Sequence, residues 1–255
     1  MSRLGFAARL RAGESLISSF IKTPSHAVVE IAGDCGLDAV VLDAEHAPFE
    51  AGSLDRGLLA CRAANIAGLV RVADDRPATL LQALDLGADG LVLPHIVNAA
   101  QAHQLLQATR YRNGSRGFSN SPRAGGYGRA NLAEHMAGED GRHAFIAQIE
   151  DREALDNLAA IAAVEQVDCL LVGRADLAVS LGASSLDDPR VESAVNRVLE
   201  AAQQAGKAAG IFVANSEDLA RFSAKGMRFF ILGSDQAVLR AGWQQQARHF
   251  HGLTH

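Results

Sequence analysis

Ionisable side chains follow short apolar runs at several points in the sequence, and two of them are carboxylates. Glu150 closes the run IAQIE, and Asp176 lies a few residues after the run CLLV. Carboxylates at the ends of neighbouring strands can share one divalent cation, because oxygen ligands suit Mg²⁺ or Mn²⁺ and leave positions open for a substrate. Helix caps and salt bridges are also common roles for such carboxylates. The pair indicates a candidate metal site, with a structural role as the alternative.

Arg71 interrupts the apolar run GLVRV. A charged residue at the end of a buried strand must face a polar opening, because burial without a partner is costly. An arginine in that position can stabilise an oxyanion that develops during a reaction. A buried ion pair with Asp43 or Glu45 explains the residue equally well.

His46 follows the acidic segment LDAE. An imidazole beside carboxylates is suited to act as a general base near neutral pH. His95, which follows the run LVLP, is the competing candidate, and a lone histidine is more often structural. The sequence therefore favours neither residue decisively.

The segment from Gly173 to Asp176 is typical of a backbone nest that binds anions. Gly173 permits close backbone approach, and the amides before Leu177 can open a short helix that faces a carboxylate. An ordinary helix N-cap at Asp176 is the alternative interpretation.

Apolar runs typical of strands alternate along the chain with helical patterns. These strands and helices must position the polar residues described above. Nearly continuous apolar runs predict eight strands, Ser15–Ile21, Ala39–Leu42, Gly68–Val72, Gly90–Leu93, Phe145–Ile149, Cys169–Val172, Ala209–Val213 and Phe229–Leu232. Helical patterns lie between them, at Gly52–Ala64, Ala78–Leu86, Ala99–Thr109, Ala154–Ala163, Val191–Ala205, Ser216–Ala224 and Asp235–His249. Gly87, Gly206 and Gly226 stand where helices should end, as left-handed C-caps.

Eight β-then-α units predict an α/β fold, a closed (β/α)8 TIM barrel formed by residues 1–255 as a single domain. The length of 255 residues fits, since such barrels typically need about 250 residues. An open, doubly wound sheet is the rival, weakened because no GxGxxG motif follows the first strand. In a barrel the active site lies at the carboxyl ends of the strands, where the polar residues described above gather.

One long segment, Arg110 to His143, breaks the alternation and is rich in Gly, Ser, Asn and Arg. A connection of this length is usually functional or disordered. Its glycines would let it move over the mouth of the barrel. We expect Arg123, with Ser119 and Ser121, to contact a polar part of the substrate, or else to serve a helix cap or a subunit contact.

Composition limits the partners and the compartment. The formal net charge is −5, and no cluster of Lys and Arg stands out, so no nucleic acid is expected. No apolar span reaches the roughly 18–20 residues of a membrane helix, and no secretory signal is recognised. The three cysteines, Cys35, Cys61 and Cys169, are too sparse for a disulfide framework. These observations predict a reduced, cytoplasmic setting.

Several segments together resemble the HpcH/HpaI aldolase family. They are LDAEHAPFE, DDRPATLLQALDLGADGLVLPHI, GSRGFSNSPRAGGYG, IAQIED and VGRADLAVSLG, and the resemblance runs from about Ser15 to Gln246. It implies a barrel of the phosphoenolpyruvate/pyruvate type whose C-terminal helix is exchanged between subunits. It also implies a homo-oligomer, a hexamer built as a trimer of dimers, that uses Mg²⁺, Mn²⁺ or Co²⁺.

The resemblance implies a role for individual catalytic residues. Glu150 and Asp176 match the metal ligands, and Arg71 matches the arginine at the keto oxygen. His46 matches the base, and Asp85 matches its aspartate partner. The implied reaction is aldol cleavage of a 4-hydroxy-2-oxo acid to pyruvate and an aldehyde, in the catabolism of aromatic compounds or sugar acids.

The same resemblance implies the substrate contacts. The amides at Ala175 and Asp176, after Gly173, match those that hold the pyruvate carboxylate, and Gln148 matches a glutamine that lines the site. Arg123 matches a position near the distal end of the aldehyde-derived half. Many members have proline where this chain has Arg174, so an extra cation there is expected to bind a second carboxylate, pair with Glu45 or point outward.

The positions of the lysines bear on the implied mechanism, and two alternative functions stay open. No predicted strand ends in a lysine, and only Lys22, just past the first strand, could challenge the metal mechanism by forming a Schiff base. A citramalyl- or malyl-CoA-type lyase is one alternative function, although it should carry extra basic surface. A barrel that binds 2-oxo acids without catalysis is the other.

Overall fold

The computed structural model describes residues 5–253. Within this range eight strands pair in parallel and in chain order, and the first also pairs with the last, which closes a barrel. The strands are β1 (Leu16–Ile21), β2 (Ala39–Asp43), β3 (Ala67–Arg71), β4 (Gly90–Leu93), β5 (Ala144–Ile149), β6 (Cys169–Val172), β7 (Ala208–Val213) and β8 (Phe229–Ser234). The predicted (β/α)8 barrel is confirmed, with every strand within two residues of its predicted bounds.

Helices follow the strands around the barrel. Those in the described residues are α1 (Phe6–Arg11), α2 (His26–Asp34), α3 (Ala51–Ala63), α4 (Pro77–Asp85), α5 (Ala99–Gln107), α6 (Leu132–Glu139), α7 (Arg152–Asp156), α8 (Leu158–Ala162), α9 (Arg174–Ser180), α10 (Pro189–Gln204), α11 (Ser216–Lys225) and α12 (Asp235–Leu253). A single 3-10 turn covers Arg123–Gly125. Gly87, Gly206 and Gly226 have φ of 94°, 65° and 111°, which confirms left-handed turns that only glycine adopts readily.

Burial on both faces of the sheet explains why the strands are apolar throughout. Val41, Leu69 and Ile146 point into the barrel and form one buried cluster, whereas Val40 and Val70 pack against the surrounding helices in another. Successive strand residues face opposite sides of the sheet, so each strand contributes to both clusters. A strand with two covered faces needs no polar alternation.

One predicted helix is divided. The segment predicted as Ala154–Ala163 forms α7 and α8, which meet at Asn157. The Asn157 side chain donates to the carbonyl oxygens of Val97, at 3.0 Å, and Glu153, at 3.1 Å. Asparagine side chains compete in this way with helical backbone hydrogen bonds, which accounts for the break.

Helices α1, α2 and α6 have no counterpart among the predicted segments. The start of α6 carries a capping box in which Asn131 Oδ1 accepts a hydrogen bond from the Glu134 amide at 3.0 Å. This local signal lies inside the long polar segment, whose composition predicted a loop.

The two ends of the barrel have different roles. Strand-to-helix connections lie at the carboxyl ends of the strands, and helix-to-strand connections lie at the amino ends. The long segment between α5 and β5 is a helix-to-strand connection, so it emerges at the amino-terminal face. The expectation that it covers the mouth of the same barrel is therefore not met within one chain.

Helix α12 exposes apolar side chains. Val238, Leu239, Trp243 and Phe250 are all exposed along it. An apolar cavity of about 320 Å³ adjoins its first turns and includes Ile31 in its lining.

No helix within residues 5–253 has the length and hydropathy required to traverse a lipid bilayer.

Candidate active site

A cavity of about 230 Å³ opens at the carboxyl end of the barrel. Side chains or backbone from seven of the eight strand ends line it: Phe20, Lys22, His46, Arg71, Gln148, Leu171, Val172, Gly173, Arg174, Ala175, Asp176, Phe212, Ile231 and Ser234. The structure thus brings together six predicted site residues, His46, Arg71, Gln148, Gly173, Ala175 and Asp176. The volume of this cavity suits a small organic acid better than a large ligand.

Arg71 is buried at the end of β3 and forms a two-point pair with Asp43 at the end of β2. Its Nε and Nη2 donate to the two Asp43 carboxylate oxygens at 2.9 and 2.8 Å. The strand register sets Asp43 directly beside Arg71, which explains why the pair forms. The guanidinium carbon lies 4.5 Å from the centre of the Phe20 ring. Arg71 therefore forms the ion pair that the alternative interpretation held. Its side chain also lines the cavity.

Asp43 is fully buried and ionised by its partners. Burial raises the pKa of this carboxyl, but hydrogen bonds and charge from Arg71 outweigh that effect and lower it. The His46 amide also donates to Asp43, at 3.1 Å. Asp43 consequently fixes the Arg71 side chain and the turn that carries His46, a role that the sequence did not single out.

The His46 ring is about half exposed at the mouth. Its Nε2 lies 3.7 Å from Glu45 Oε2, and Glu45 in turn lies 3.2 Å from Arg71 Nη1. The ring can therefore exchange protons with solvent and with a molecule in the cavity. This placement is compatible with the predicted role as a base, which stays a prediction.

Asp85, the predicted partner of His46, lies at the other end of the barrel. It is the last residue of α4, at the amino-terminal face, and its Oδ1 accepts a hydrogen bond from Arg116 at 2.9 Å. His46 follows β2 at the carboxyl face, so the two residues form no contact within the described chain. Their pairing stays a prediction that one chain does not fulfil.

Glu150 lies just after β5, almost completely buried. Its Oε1 accepts a hydrogen bond from the His95 amide at 2.9 Å, and its Oε2 accepts one from Gln148 Nε2. Burial raises the pKa of this carboxyl despite those hydrogen bonds. Gly173 lies beside it on β6, where a Cβ atom would stand 2.5 Å from Glu150 Oε2. Only glycine therefore fits next to this carboxylate.

The oxygen atoms around Glu150 fit a divalent cation. Gln148 Oε1 is buried and has no hydrogen-bond partner within the described residues, whereas the buried Glu45 Oε2 forms no hydrogen bond there but has an ion-pair contact with Arg71 Nη1 at 3.2 Å. Buried oxygens without partners are uncommon, and carboxylate and amide oxygens suit hard cations. Asp176 lies exposed at the rim of the same cavity. Residues 5–253 hold no group of three or more His, Cys, Asp and Glu side chains arranged as metal ligands.

His95 contacts the same acidic group from β4. Its Nδ1 lies 2.9 Å from Asp151 Oδ2, and its Nε2 lies 3.5 Å from Glu45 Oε1. Burial lowers the pKa of the ring, but the hydrogen bond to Asp151 and the charge of Glu150 raise it overall. The raised pKa favours the charged form of His95, which suits an ion pair with the surrounding carboxylates better than proton abstraction.

Arg174 neither pairs with Glu45 nor points outward, whereas the expectation that it binds a second carboxylate stays a prediction. Its Nη2 pairs with Asp218 Oδ2 at 2.6 Å, and its guanidinium carbon lies 4.9 Å from the centre of the Phe222 ring. The side chain is buried, with the ion pair to α11 holding the start of α9 in place. Its charge is therefore already compensated by the protein.

Arg123 lies away from this cavity. It is a buried side chain at the amino-terminal face, where it pairs with Asp55 at 2.7 Å and donates to the Leu86 carbonyl oxygen at 2.8 Å. It lines a separate cavity of about 340 Å³ with Arg62, Arg129 and Arg142. Contact with a substrate in the barrel mouth would require a second copy of the chain, so its role stays a prediction.

The comparisons with known proteins agree with this geometry. The family model for HpcH/HpaI aldolase/citrate lyase matches residues 16–241. A "5-keto-4-deoxy-D-glucarate aldolase" of Klebsiella pneumoniae is 34% identical over 247 residues, which cover 96% of this chain and 96% of the relative. The enzyme of that name from Shigella boydii is 33% identical and covers 96% of this chain and 95% of its own.

Solved structures share the whole fold. An HpcH/HpaI aldolase/citrate lyase family protein from Burkholderia cenocepacia superposes with a TM-score of 0.93 at 31% identity, covering 97% of this chain and 99% of the other. The citrate synthase SbnG superposes with a TM-score of 0.88 at 28% identity and covers 98% of both chains.

Fold and site together define a barrel enzyme that acts on carbon–carbon bonds, a lyase of the aldolase type. The chain belongs to the HpcH/HpaI aldolase/citrate lyase family.

Proposed function

We propose that this protein is a divalent-metal-dependent aldolase that interconverts a 4-hydroxy-2-oxo acid with pyruvate and an aldehyde. The observation that carries the proposal is one cavity that is lined by the Arg71 guanidinium, fixed by Asp43, and by Gln148, whose amide donates to the buried Glu150 carboxylate. Cleavage next to a 2-oxo group leaves an enolate, and a fixed cation beside its oxygen lowers the barrier. The relatives named as aldolases support this reaction class.

The start of α9 would bind the carboxylate of the pyruvate half. Gly173, Ala175 and Asp176 line the cavity where this helix begins. Backbone amides at a helix start favour a negative group. The pyruvate half would then lie over the ends of β5 and β6, and its 2-oxo group would point toward Arg71 and Gln148.

Glu150 and Asp176 would hold the cation, which supplies Lewis-acid polarisation of the 2-oxo group when bound. Gln148 would orient this group by donating the second N–H of its Nε2, the first of which is directed to Glu150. Arg71 would donate a hydrogen bond to the oxygen that becomes negative as the C3–C4 bond breaks. Asp43 keeps the arginine in position, so no reorganisation is needed during the reaction.

His46 would take the proton from the 4-hydroxyl group of the substrate. The ring lines the cavity and is exposed enough to return this proton to solvent, or to deliver it to C3 of the enolate, which thereby becomes pyruvate. General bases of this kind typically contribute about 10²–10⁴-fold to a rate. Asp85 would support His46 only from a second copy of the chain.

The experiment is a coupled assay in which lactate dehydrogenase reports released pyruvate. We expect activity with 4-hydroxy-2-oxo acids after addition of Mg²⁺, Mn²⁺ or Co²⁺ to chelator-treated protein. Malyl- and citramalyl-CoA thioesters belong in the same assay with a product readout suited to each. Turnover of only the thioesters would replace the proposal with a CoA lyase, and binding of pyruvate without any turnover would indicate a non-catalytic barrel.

A further inference from the structure

Lys22 places an ammonium group in the cavity that the proposed reaction does not use. It follows β1, and it lines the cavity together with Phe20 and Ser234. Strand register sets Ile21 beside Leu42, so the next residue along, Lys22, lies level with Asp43 and Arg71. Three adjacent strands therefore present a Lys–Asp–Arg row at one edge of the mouth.

Glu45 adds a second carboxylate to this row through Arg71 Nη1, at 3.2 Å, but Lys22 has only a loose contact with Asp43. Asp43 accepts both hydrogen bonds of the Arg71 fork, and Lys22 Nζ reaches the same carboxylate only at 3.3 Å. An ammonium has three N–H donors, so at least two remain for a molecule in the cavity. The side chain is partly exposed, which leaves those donors accessible.

The backbone at Lys22 is fixed. The amides of Lys22 and Thr23 donate to the two carboxylate oxygens of Asp235, at 2.8 and 3.0 Å. Asp235 is itself buried at the start of α12. The ammonium therefore extends from a rigid base, and a rigid base reduces the entropic cost of binding a ligand.

Lys22 lies across the mouth from the start of α9. In the closed barrel β1 is separated from β6 by β7 and β8 on the shorter side. A substrate whose carboxylate is held at Ala175 and Asp176 would extend its other end toward β1 and β8. Among the cavity-lining cations in the described residues, Arg71 and Arg174 each have a close carboxylate partner, at 2.8 and 2.6 Å. Lys22 has the loosest pairing and the greatest exposure of the three.

We propose that Lys22 determines specificity by binding a carboxylate on the aldehyde-derived half of the substrate, so that the enzyme prefers acidic aldehydes to neutral ones. This inference rests on the proposed aldolase function. The Ser234 hydroxyl, at the adjacent strand end, lines the same cavity; its oxygen accepts a hydrogen bond from the Ala237 amide at 3.2 Å, and its own O–H would donate to the same group. Because Lys22 carries the preference, removing its charge should alter selectivity.

The kinetic test compares two acceptors of equal length, succinic semialdehyde and butanal, in pyruvate addition by the metal-loaded enzyme. In Lys22→Met we expect the ratio of kcat/KM for the acid over the neutral aldehyde to fall about 10- to 100-fold, the size of a lost charged hydrogen bond. Lys22→Arg should retain most of the ratio. Lys207→Met is the matched control, because that lysine donates to the Glu165 carbonyl oxygen outside the cavity.

A binding measurement tests the same subsite without turnover. Calorimetry with 2-oxoglutarate and 2-oxopentanoate compares ligands that differ in a distal carboxylate, and wild-type protein should prefer the diacid while Lys22→Met loses that preference. An unchanged preference in Lys22→Met would overturn the inference. An equal loss of kcat/KM with both aldehydes in Lys22→Met, together with slower deuterium exchange of pyruvate, would also overturn the inference. Lys22 would then act through Asp43 and Arg71. Absence of that exchange in wild-type protein would overturn the aldolase proposal instead, and calorimetry would still decide the role of Lys22.

Discussion

At the scale of single residues, the site depends on the pairing of buried charges. Arg71 and Asp43 satisfy each other through two hydrogen bonds, because their strands end in register. Removing one member of a buried pair leaves the other uncompensated, which typically costs about 3–5 kcal/mol. The design of a test must therefore preserve the charge while changing the geometry.

Arg71→Lys meets that requirement. Lysine keeps a positive charge beside Asp43 but lacks the planar fork that also faces the cavity. We expect the rate of pyruvate release to fall by about 10²–10³-fold, the usual effect of losing an oxyanion donor. Thermal unfolding should change much less than in Arg71→Ala. A nearly normal rate in Arg71→Lys would assign Arg71 to structure.

Sequence alone identifies many of these residues but not their partners. Arg71, His46 and Glu150 are predictable because polar groups that end apolar runs are conspicuous. The partner of Arg71 stays open between Asp43 and Glu45, because register is a property of two strands and not of one. The Asp218 partner of Arg174 is missed for the same reason, since Asp218 lies on a distant helix. Lys22 stands out in the sequence only as a Schiff-base candidate.

At the scale of elements, close packing of β5 against β6 dictates a glycine. A Cβ on residue 173 would stand 2.5 Å from Glu150 Oε2 and 3.2 Å from Gln148 Nε2. Any side chain there must displace the carboxylate that is proposed to hold the cation.

Gly173→Ala should therefore reduce metal affinity and activity while the barrel remains folded. We expect at least about a 10-fold weaker apparent affinity for Mn²⁺, similar to the loss of a supporting contact at a metal site. Titration of chelator-treated protein with Mn²⁺ measures this affinity. Gly138→Ala is the control, because a Cβ added at that position would meet no atom within 4 Å. Equal Mn²⁺ affinity in both variants would contradict the assignment of Glu150.

Helix α6 ends in a buried cluster at the amino-terminal face. Glu139 pairs with His143 at 3.1 Å and with Arg116 at 3.3 Å. Burial raises the pKa of this carboxyl, but the hydrogen bond from His143 and the neighbouring charges lower it to about 2. A carboxyl group whose pKa is lower in the folded than in the unfolded state stabilises the fold at pH values above its unfolded-state pKa.

The contribution of Glu139 should thus be complete above about pH 4.5 and disappear as the pH falls toward 2. Its size is on the order of 3 kcal/mol, since one pKa unit corresponds to about 1.4 kcal/mol. Urea unfolding of wild-type protein and Glu139→Gln at pH 7, 5, 4 and 3 measures the difference. We expect a large difference at pH 7 that shrinks below pH 4.5. A difference that is constant with pH would show that the carboxylate charge is not what stabilises this cluster.

Elements are predicted well where periodicity dominates. All eight strands are recognisable because both of their faces are buried, and a continuous apolar run is then unmistakable. Helix α6 escapes the prediction because polar residues surround it, and the helix predicted as Ala154–Ala163 breaks at Asn157 through a side-chain hydrogen bond to a carbonyl beyond the helix itself. Such tertiary contacts leave no periodic signal.

At the scale of the whole molecule, the barrel separates two sets of predicted residues. The cavity with Arg71 and Gln148 lies at the carboxyl face, whereas Asp85 and Arg123 lie at the amino-terminal face. The chain direction accounts for this separation, since helix-to-strand connections always return to the amino end. The family resemblance assigns all of them to one site, but a single chain does not bring them together.

Assembly of several copies would account for both the separated residues and the exposed face of α12. Trp243 and Leu239 are exposed on this helix, and clustered exposed apolar side chains mark interaction surfaces. We expect multi-angle light scattering to give the mass of an oligomer, with a hexamer as the expected state. Leu239→Glu combined with Trp243→Glu should lower that mass. A monomeric wild-type protein at micromolar concentration would contradict the assembly.

The most direct test of the central claim is deuterium exchange at the methyl group of pyruvate, followed by NMR in D₂O. This exchange requires the enolate but no aldehyde, so it isolates the step assigned to Arg71 and the cation. The account predicts exchange with Mg²⁺ or Mn²⁺, loss of exchange after chelation, recovery on adding the metal back, and a strong decrease in Arg71→Lys. Undiminished exchange in metal-free protein, or none in metal-loaded protein, would contradict a metal-dependent pyruvate aldolase.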